Sequence, residues 1–245
     1  MNMTNYFPTY VKRNSTVPEW AADPACFLYL PLYALDGPKI KSLDRYGYSI
    51  TNNGGAAGTS KGMYFDGVND YLSWYLPAST TFTELTAISW FNPHGAWPSG
   101  SGAYRPIYIN SRRSGSPYIR SGFELGRSYD DGKFAFRLFD GTSDATNFNC
   151  TFSTSLISLN TFHFVFGRYK AGSLLEVYSD NVRRQYMSAV NIPPQVIVEK
   201  IAINSVASVS TNFSNFTIGM IAAFSRCLSL AELSQIFADT RGRYL

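Results

Sequence analysis

The chain has 245 residues, of which 45% are hydrophobic and 16% are charged, and its formal net charge is +4. The hydrophobic share excludes a disordered chain and is enough to bury a sizeable core. A small net charge spread over this length does not indicate nucleic-acid binding. No uninterrupted run of about 18 apolar residues occurs, so the sequence predicts no membrane span.

The first 25 residues are predicted to form an extended N-terminal arm. Pro8, Pro18 and Pro24 interrupt this stretch, and no regular apolar periodicity runs through it. Its start lacks the apolar run of a secretory signal peptide, so none is expected. We expect residues 1–25 to lie along the domain surface or to clasp a neighbouring subunit, and residues 26–245 to form a single domain.

From Cys26 to about Ser225 the chain consists of short alternating segments separated by turn residues. Alternation with a period of two is typical of half-buried strands. Strands at this density predict an all-β sandwich or barrel rather than an α/β fold. The predicted strands contain residues 27–30, 63–65, 87–91, 107–109, 123–125, 134–139, 162–166, 175–177, 201–203 and 218–224.

One short helix is predicted near the C-terminal end. Ser229 and Glu232 form the S-x-x-E pattern of a capping box, in which each side chain accepts a hydrogen bond from the other residue's backbone amide. The pattern predicts a helix that ends near residue 239 or 240. Its apolar stripe consists of Leu230, Leu233, Ile236 and Phe237.

Four stretches occur in an order that is typical of one family. They are residues 28–32 with the turn at 44–47, residues 62–72, residues 85–93 and residues 218–233. Together they resemble the laminin-G-like jelly rolls of the concanavalin A-like lectin/glucanase superfamily over about residues 26–240. The resemblance implies a jelly-roll β-sandwich with Phe65 and Trp90 in its core. Ala222 or Ala223 stands where the family usually has Asp.

Catalysis is not expected. Some glycoside hydrolases of this superfamily carry E-x-D-x-x-E on one strand, which sets two carboxylates on one face. No glutamate of this chain begins that pattern, and the nearest pair, Glu176 and Asp180, has a different spacing. Neither His94 nor His163 has a serine or cysteine nearby in sequence that suggests a nucleophile. The sequence therefore indicates a binding or structural protein.

The sequence leaves open whether the protein needs a cofactor, and Ca²⁺ is the one candidate. The relatives often hold Ca²⁺ at the rim of the sandwich, and this ion needs six to eight oxygen ligands. Hydrogen bonding within turns explains the same acidic residues without a metal. The candidate ligands are Asp66, Asn69 and Asp70 and, as a separate set, Asp130, Asp131 and Asp140.

The three cysteines, Cys26, Cys150 and Cys227, have no zinc-binding spacing. Buried free thiols are favoured over a disulfide. The sequence does not choose a pairing if one forms.

Residues 92–131 combine aromatic residues and arginines among Gly, Ser and Pro. Aromatic faces stack on sugars, and arginine forks bind carboxylate or sulfate groups. Tyr and Arg are also the usual anchors of protein interfaces, so both kinds of partner stay open. The candidate residues for a glycan site or an interface are Trp97, Tyr104, Arg105, Arg112, Arg113, Tyr118, Arg120, Arg127 and Tyr129.

The sequence predicts a non-catalytic jelly-roll protein that works at a surface. One interpretation is a structural or recognition component of a virion or cell-surface assembly, which contacts glycans or neighbouring subunits and forms a homo-oligomer. The alternative is a stand-alone lectin-like carbohydrate-binding module, dependent on Ca²⁺ or not. Both interpretations place the protein in a virion or at an extracellular surface, with protein subunits or cell-surface glycans as partners and without nucleic acid.

Overall fold

The fold consists of strands with one C-terminal helix, which confirms the all-β prediction. A computed structural model describes residues 17–35, 37–75, 80–95, 105–108, 111–113, 119–127, 133–140, 147–188, 190, 195–197, 200–204 and 213–245. In these residues the helices are a 3-10 turn at Glu19–Ala22, another at Thr154–Leu156, and α1 at Leu230–Arg241. The strands are β1 (Cys26–Pro31), β2 (Lys39–Lys41), β3 (Ser49–Asn53), β4 (Ala57–Thr59), β5 (Gly62–Asp66), β6 (Tyr71–Tyr75), β7 (Thr80–Phe82), β8 (Glu84–Pro93), β9 (Arg105–Tyr108), β10 (Ser111–Arg113), β11 (Ile119–Arg127), β12 (Phe134–Asp140), β13 (Asn147–Phe152), β14 (His163–Lys170), β15 (Leu174–Ser179), β16 (Val182–Ser188), β17 (Gln195–Ile197), β18 (Lys200–Ile203) and β19 (Asn215–Phe224).

An eight-stranded antiparallel sheet forms one layer of the sandwich. Its order is β16-β15-β14-β8-β19-β5-β4. β1 pairs with β19 along residues 220–224, and β5 pairs with β19 along residues 215–218. The central strands β8, β14 and β19 are buried along almost their whole length, because both faces of this sheet are covered.

Three smaller antiparallel sheets face the inner side of the large sheet. They are β18-β6-β3-β2, β10-β11-β12-β13 with β9 beside β11, and β17-β7. The core between the layers includes Met63, Phe65, Phe136 and Val165. The layers meet closely at Gly167 of β14, where a Cβ atom would lie only 2.1 Å from Cγ of Phe136. This position therefore requires glycine.

The outer side of the large sheet carries a second core beneath α1. Trp90 from β8 stacks on Phe237 of α1, with ring centroids 5.6 Å apart, and on Tyr244, with centroids 4.8 Å apart. Phe164 and Met220 complete the same cluster from neighbouring strands. The helix is thus fixed by aromatic packing on the middle of the sheet. No helix in the described part of the chain has the length and apolar character needed to cross a bilayer.

The structural residues named from the sequence take the expected positions. Phe65 and Trp90 are fully buried. Ser229 Oγ accepts from the Glu232 backbone amide at 3.3 Å, and Glu232 Oε2 accepts from the Ser229 amide at 2.8 Å. The capping box is therefore complete. α1 continues to Arg241, slightly beyond the end expected from the sequence.

Part of the N-terminal segment packs against the sandwich. The Trp20 ring meets the Tyr29 ring edge-on, with centroids 5.0 Å apart, and Ala21 is buried. Asp23 Oδ2 accepts from Arg226 Nε at 2.9 Å. Residues 17–25 therefore lie along the domain surface. Residues 1–16 are outside the described part, and a clasp on a neighbouring subunit stays a prediction.

Candidate functional site

The arginines of the predicted glycan site or interface fall on one of the smaller sheets. Arg112 lies opposite Arg120 in the β10–β11 ladder, and Arg105 lies opposite Arg127 in the β9–β11 ladder. Arg113 is on β10 as well. The backbone register thus brings the candidate arginines of three neighbouring strands together, and their role in binding stays a prediction. The remaining candidates are outside the described residues: Trp97, Tyr104, Tyr118 and Tyr129.

The first candidate calcium set makes the contacts of a turn. Asp66 Oδ1 accepts from the amide of Val68 at 2.7 Å and from that of Asn69 at 3.4 Å. Asp70 Oδ2 accepts from the Asp66 amide at 3.0 Å, and burial raises the pKa of Asp70. No group of three or more His, Cys, Asp or Glu side chains that could hold a metal occurs in the described part. Calcium binding at this turn stays a prediction.

Calcium binding by the second candidate set also stays a prediction. Asp130 and Asp131 lie outside the described residues, and Asp140 ends β12.

All three cysteines are free thiols, and Cys26 and Cys150 are buried. Burial raises the pKa of each of these two thiols to about 12. Cys150 Sγ donates to the Leu175 carbonyl at 3.0 Å. A thiol with so high a pKa carries almost no thiolate at neutral pH, so neither residue is suited to nucleophilic attack or metal binding.

His163 is a buried structural residue. Its Nδ1 lies 2.8 Å from Asp180 Oδ2, and its Nε2 lies 3.1 Å from the Ser158 carbonyl oxygen. Burial alone would raise the pKa of Asp180, but hydrogen bonds from His163 and from the Phe164 amide lower it. Both ring nitrogens are thus engaged with protein acceptors. The pair ties the start of β14 to the β15–β16 turn.

An open cleft of about 530 Å³ lies beyond the C-terminal end of α1. It forms where three distant parts of the chain meet: the segment after β1, the β4–β5 turn, and the residues that follow the helix. The residues that line it include Tyr33, Lys61, Asp239, Thr240, Arg243 and Tyr244. Nothing in the local sequence signals this cleft, since Lys61 and Tyr244 are 183 residues apart.

Arg243 is the most prominent group of the cleft. Its guanidinium carbon lies 3.7 Å from the centroid of the Tyr33 ring, well within the range of a cation–π contact. Arg168 and Arg226 each pair with a carboxylate, whereas Arg243 has no carboxylate partner in the described part of the chain. Arg243 is exposed, so its N–H groups are available to a ligand.

Lys61 and Tyr244 also line the cleft, and the Tyr244 ring meets the Tyr33 ring edge-on with centroids 6.5 Å apart. Lys61 Nζ donates to the Tyr244 carbonyl oxygen at 3.3 Å. Tyr244 is 4% exposed, and burial raises the pKa of its hydroxyl, which has no hydrogen-bond partner in the described part. The ring lies against the backbone of Gly219, where a Cβ atom would be 2.2 Å from Tyr244 Cε1. The position of the Tyr244 ring therefore depends on glycine in β19.

The electrostatic balance of the cleft is positive. Lys61 and Arg243 carry two positive charges, and Asp239 carries one negative charge. Asp239 Oδ1 already accepts from Gln235 Nε2 at 2.7 Å. The C-terminal end of a helix adds the equivalent of about half a negative charge, which does not cancel the surplus. The cleft thus presents two cationic donors to an incoming anionic group.

Comparison with known proteins relates the chain to toxin binding domains through its fold. No family model matches the sequence, and no curated protein matches it. The receptor-binding domain of botulinum neurotoxin D superposes with a TM-score of 0.67 at 13% identity, covering 88% of this chain and 52% of that one. The binding domain of serotype G gives a TM-score of 0.64 at 13% identity, covering 86% and 50%.

A further structure is the serotype D ligand-binding domain in complex with N-acetylneuraminic acid. Its TM-score is 0.68 at 12% identity, covering 88% of this chain and 51% of that one. The chain therefore spans about half the length of these neighbours. At such low identity the similarity establishes the fold alone: this protein has the β-sandwich architecture that is found in neurotoxin receptor-binding domains.

Proposed function

We propose that this protein is a non-catalytic carbohydrate-recognition protein, and that its cleft binds a saccharide that carries a carboxylate or a sulfate. The observation that carries the proposal is the Arg243 guanidinium, stacked on Tyr33 at 3.7 Å without a carboxylate partner in the described part of the chain. Lys61 lines the same cleft.

The chemistry of these groups suits an anionic sugar. An arginine guanidinium can donate two parallel hydrogen bonds to a carboxylate or sulfate. Lys61 adds a compact positive charge that tolerates several anion geometries. The half-buried ring of Tyr33 supplies apolar surface for a C–H face of a pyranose. The Tyr244 ring is buried and meets the Tyr33 ring edge-on, so it supports Tyr33 from within the protein. A free inorganic anion would use the charges but not the Tyr33 ring.

The neurotoxin domains support the class of ligand. They are receptor-binding domains, and one of them was crystallised with N-acetylneuraminic acid, which is an acidic sugar. The ligand belongs to that protein, of which this chain spans about half. These domains therefore support glycan recognition by a protein with this architecture. The site itself is assigned from the cleft residues described above.

The test is binding to a panel of sialylated, uronate-containing, sulfated and neutral glycans, followed by calorimetry on the best ligand. Arg243→Gln removes the charge, and we expect the affinity to fall by about tenfold or more, since a charge-assisted hydrogen bond contributes about 1.5–3 kcal/mol. Arg45→Gln is a matched control, because Arg45 lies 4.8 Å from the Tyr46 ring on an exposed surface outside the cleft. Failure of the wild type to bind any anionic glycan would overturn the proposal.

The arginine strands favour a second candidate function, which is assembly or recognition at a virion or cell surface. The register of β9, β10 and β11 sets Arg105 opposite Arg127 and Arg112 opposite Arg120. An acidic protein surface or a sulfated glycan would complement strands that are rich in arginine. Changing Arg112 and Arg120 together to Gln should weaken such an association. Identical association of the wild type and the double variant at low salt would exclude this candidate.

A further inference from the structure

A row of polar residues crosses the outer face of the large sheet next to the cleft. Thr217 of β19 pairs with Tyr64 of β5 on one side and with Asn92 of β8 on the other. Tyr64 alternates with Met63 and Phe65, which both belong to the core between the layers. The row therefore lies on the side of the sheet that also carries α1.

His94 joins this row to the loop before β14. Its Nε2 lies 2.8 Å from Thr217 Oγ1, and its Nδ1 lies 3.2 Å from Asn160 Oδ1. Because an amide oxygen only accepts, Nδ1 carries the proton, and in the neutral ring Nε2 accepts from the threonine hydroxyl. The Tyr64 ring lies beside the imidazole with centroids 5.7 Å apart. These bonds leave the Asn160 amide group and the Tyr64 hydroxyl available to a ligand.

Asn160 is held in an uncommon conformation that fixes its side chain at this place. Its φ of 58° is in the left-handed region, which asparagine tolerates better than most residues. Its backbone amide donates to the Pro93 carbonyl at 2.7 Å, and the residue is exposed. Asn92 contributes a buried amide oxygen without a hydrogen-bond partner in the described part. The cluster thus combines an aromatic ring with amide and hydroxyl groups.

Phe162 packs against the cleft and is close to the cluster along the chain. The Phe162 ring is 4.9 Å from the Tyr244 ring of the cleft, and Lys61 Nζ is 5.8 Å from the Phe162 ring. Asn160 precedes Phe162 by two residues. Lys61 precedes Tyr64 by three residues, which corresponds to roughly 10 Å along an extended chain. One oligosaccharide could therefore contact both groups.

We propose that Tyr64 and Asn160, positioned by His94 and the buried Thr217, form a second subsite for an uncharged sugar unit, so that the protein binds an oligosaccharide whose acidic unit occupies the cleft. The inference rests on the proposed function of the cleft. No Lys, Arg, Asp or Glu belongs to this described cluster, and hydroxyl groups of a neutral pyranose match its amide and hydroxyl partners. The Tyr64 ring supplies the stacking surface.

The experiment compares acidic monosaccharides with oligosaccharides that contain them. Calorimetry measures N-acetylneuraminic acid against sialyllactose, and glucuronic acid against a hyaluronan tetrasaccharide. In the wild type we expect the preferred oligosaccharide to bind about tenfold more tightly than its acidic unit. Asn160→Gly keeps the left-handed backbone and removes the amide, and it should lower oligosaccharide affinity about fivefold, as loss of one hydrogen bond does. Its effect on the monosaccharide should be negligible.

Asn181→Gly is a matched control, since Asn181 is exposed and also has a positive φ, of 63°, in the β15–β16 turn. Tyr64→Ala tests the stacking surface separately and should reproduce the selective loss. Equal affinities of the wild type for monosaccharide and oligosaccharide would overturn the second subsite and leave the cleft proposal intact. Absence of binding to either ligand would overturn the cleft proposal, and the second subsite with it.

Discussion

The indole Nε1 of Trp90 donates a 2.8 Å hydrogen bond to the Thr240 hydroxyl, which joins the middle of the large sheet to the last turn of α1. The same hydroxyl donates to the Ile236 carbonyl at 2.7 Å. Arg243 and Tyr244 follow directly after this anchored turn. The position of the cleft therefore depends on this partly buried hydrogen bond, whose acceptor Thr240 also lines the cleft.

Thr240→Val removes the hydroxyl and nearly keeps the shape of the side chain, so its effect on stability reports the hydrogen bond from Trp90. The substitution leaves Trp90 Nε1 buried without an acceptor, and an unsatisfied buried donor costs about 1–3 kcal/mol. We expect the free energy of unfolding in urea to fall by that amount and the affinity of the cleft for its glycan to fall as well. Thr240→Ser keeps the hydroxyl and serves as the control. Equal stabilities of the valine and serine variants would contradict the assigned role of this bond.

Gly219→Ala should displace the inner wall of the cleft. The new Cβ atom would lie 2.2 Å from Tyr244 Cε1, so the ring must leave its place on Trp90. Overpacking of this kind costs about 1–3 kcal/mol, measurable by urea unfolding. Combination with Tyr244→Ala should cost less than the sum of the single changes, because the clash is gone.

The control for Gly219→Ala is Gly95→Ala, where the nearest atom to the new Cβ would be 3.8 Å away. If the losses in unfolding free energy from Gly219→Ala and Tyr244→Ala simply add in the double variant, Gly219 does not act through Tyr244.

Glu232 should make stability depend on pH in acid. A hydrogen bond from Arg226 lowers the pKa of Glu232 to about 2, from 4.5. A carboxylate with a depressed folded pKa stabilises the native state above the unfolded pKa, and this contribution disappears as the pH falls from about 4.5 towards 2. The group is partly exposed, so solvent screening limits the effect to about 1 kcal/mol or less.

Glu232→Gln should remove that part of the pH dependence and weaken the capping box at neutral pH. Thermal unfolding between pH 2 and pH 7 measures both effects, with the exposed Glu19→Gln as the reference variant. If the stability difference between the wild type and Glu232→Gln is the same at every pH in this range, the Arg226–Glu232 ion pair is not the source of the pH dependence.

The elements that the sequence predicted well are those with a local cause. The capping box at Ser229 needs only two residues three positions apart. The alternating apolar residues predicted β8 and β14 as strands, although the structure buries them on both faces and not on one. Short strands such as β2 and β4 lack this signal. Lys39–Lys41 has a single buried residue, and Ala57–Thr59 has none, so pairing with a neighbour creates these strands.

The candidate site could not be predicted in the same way. Tyr33, Lys61 and Arg243 meet only because β1 and β5 both pair with β19 and α1 folds back over Trp90. The sequence did identify an arginine-rich region, yet spacing along the chain could not show that Arg112 lies opposite Arg120. Cross-strand register depends on turn geometry as well as on the hydrophobic pattern. The spacing of the arginines along the chain therefore does not determine which of them lie opposite one another.

Removal of residues 1–16 tests the predicted clasp without disturbing the described packing. Trp20 contacts Tyr29 and Asp23 accepts from Arg226, so deletion through residue 25 would destabilise the sandwich whether or not a clasp exists. We expect light scattering to show an oligomer for the full chain and a smaller species for the shorter deletion, with the same unfolding temperature. A monomeric full chain would exclude the homo-oligomeric assembly and leave the glycan cleft as the functional surface.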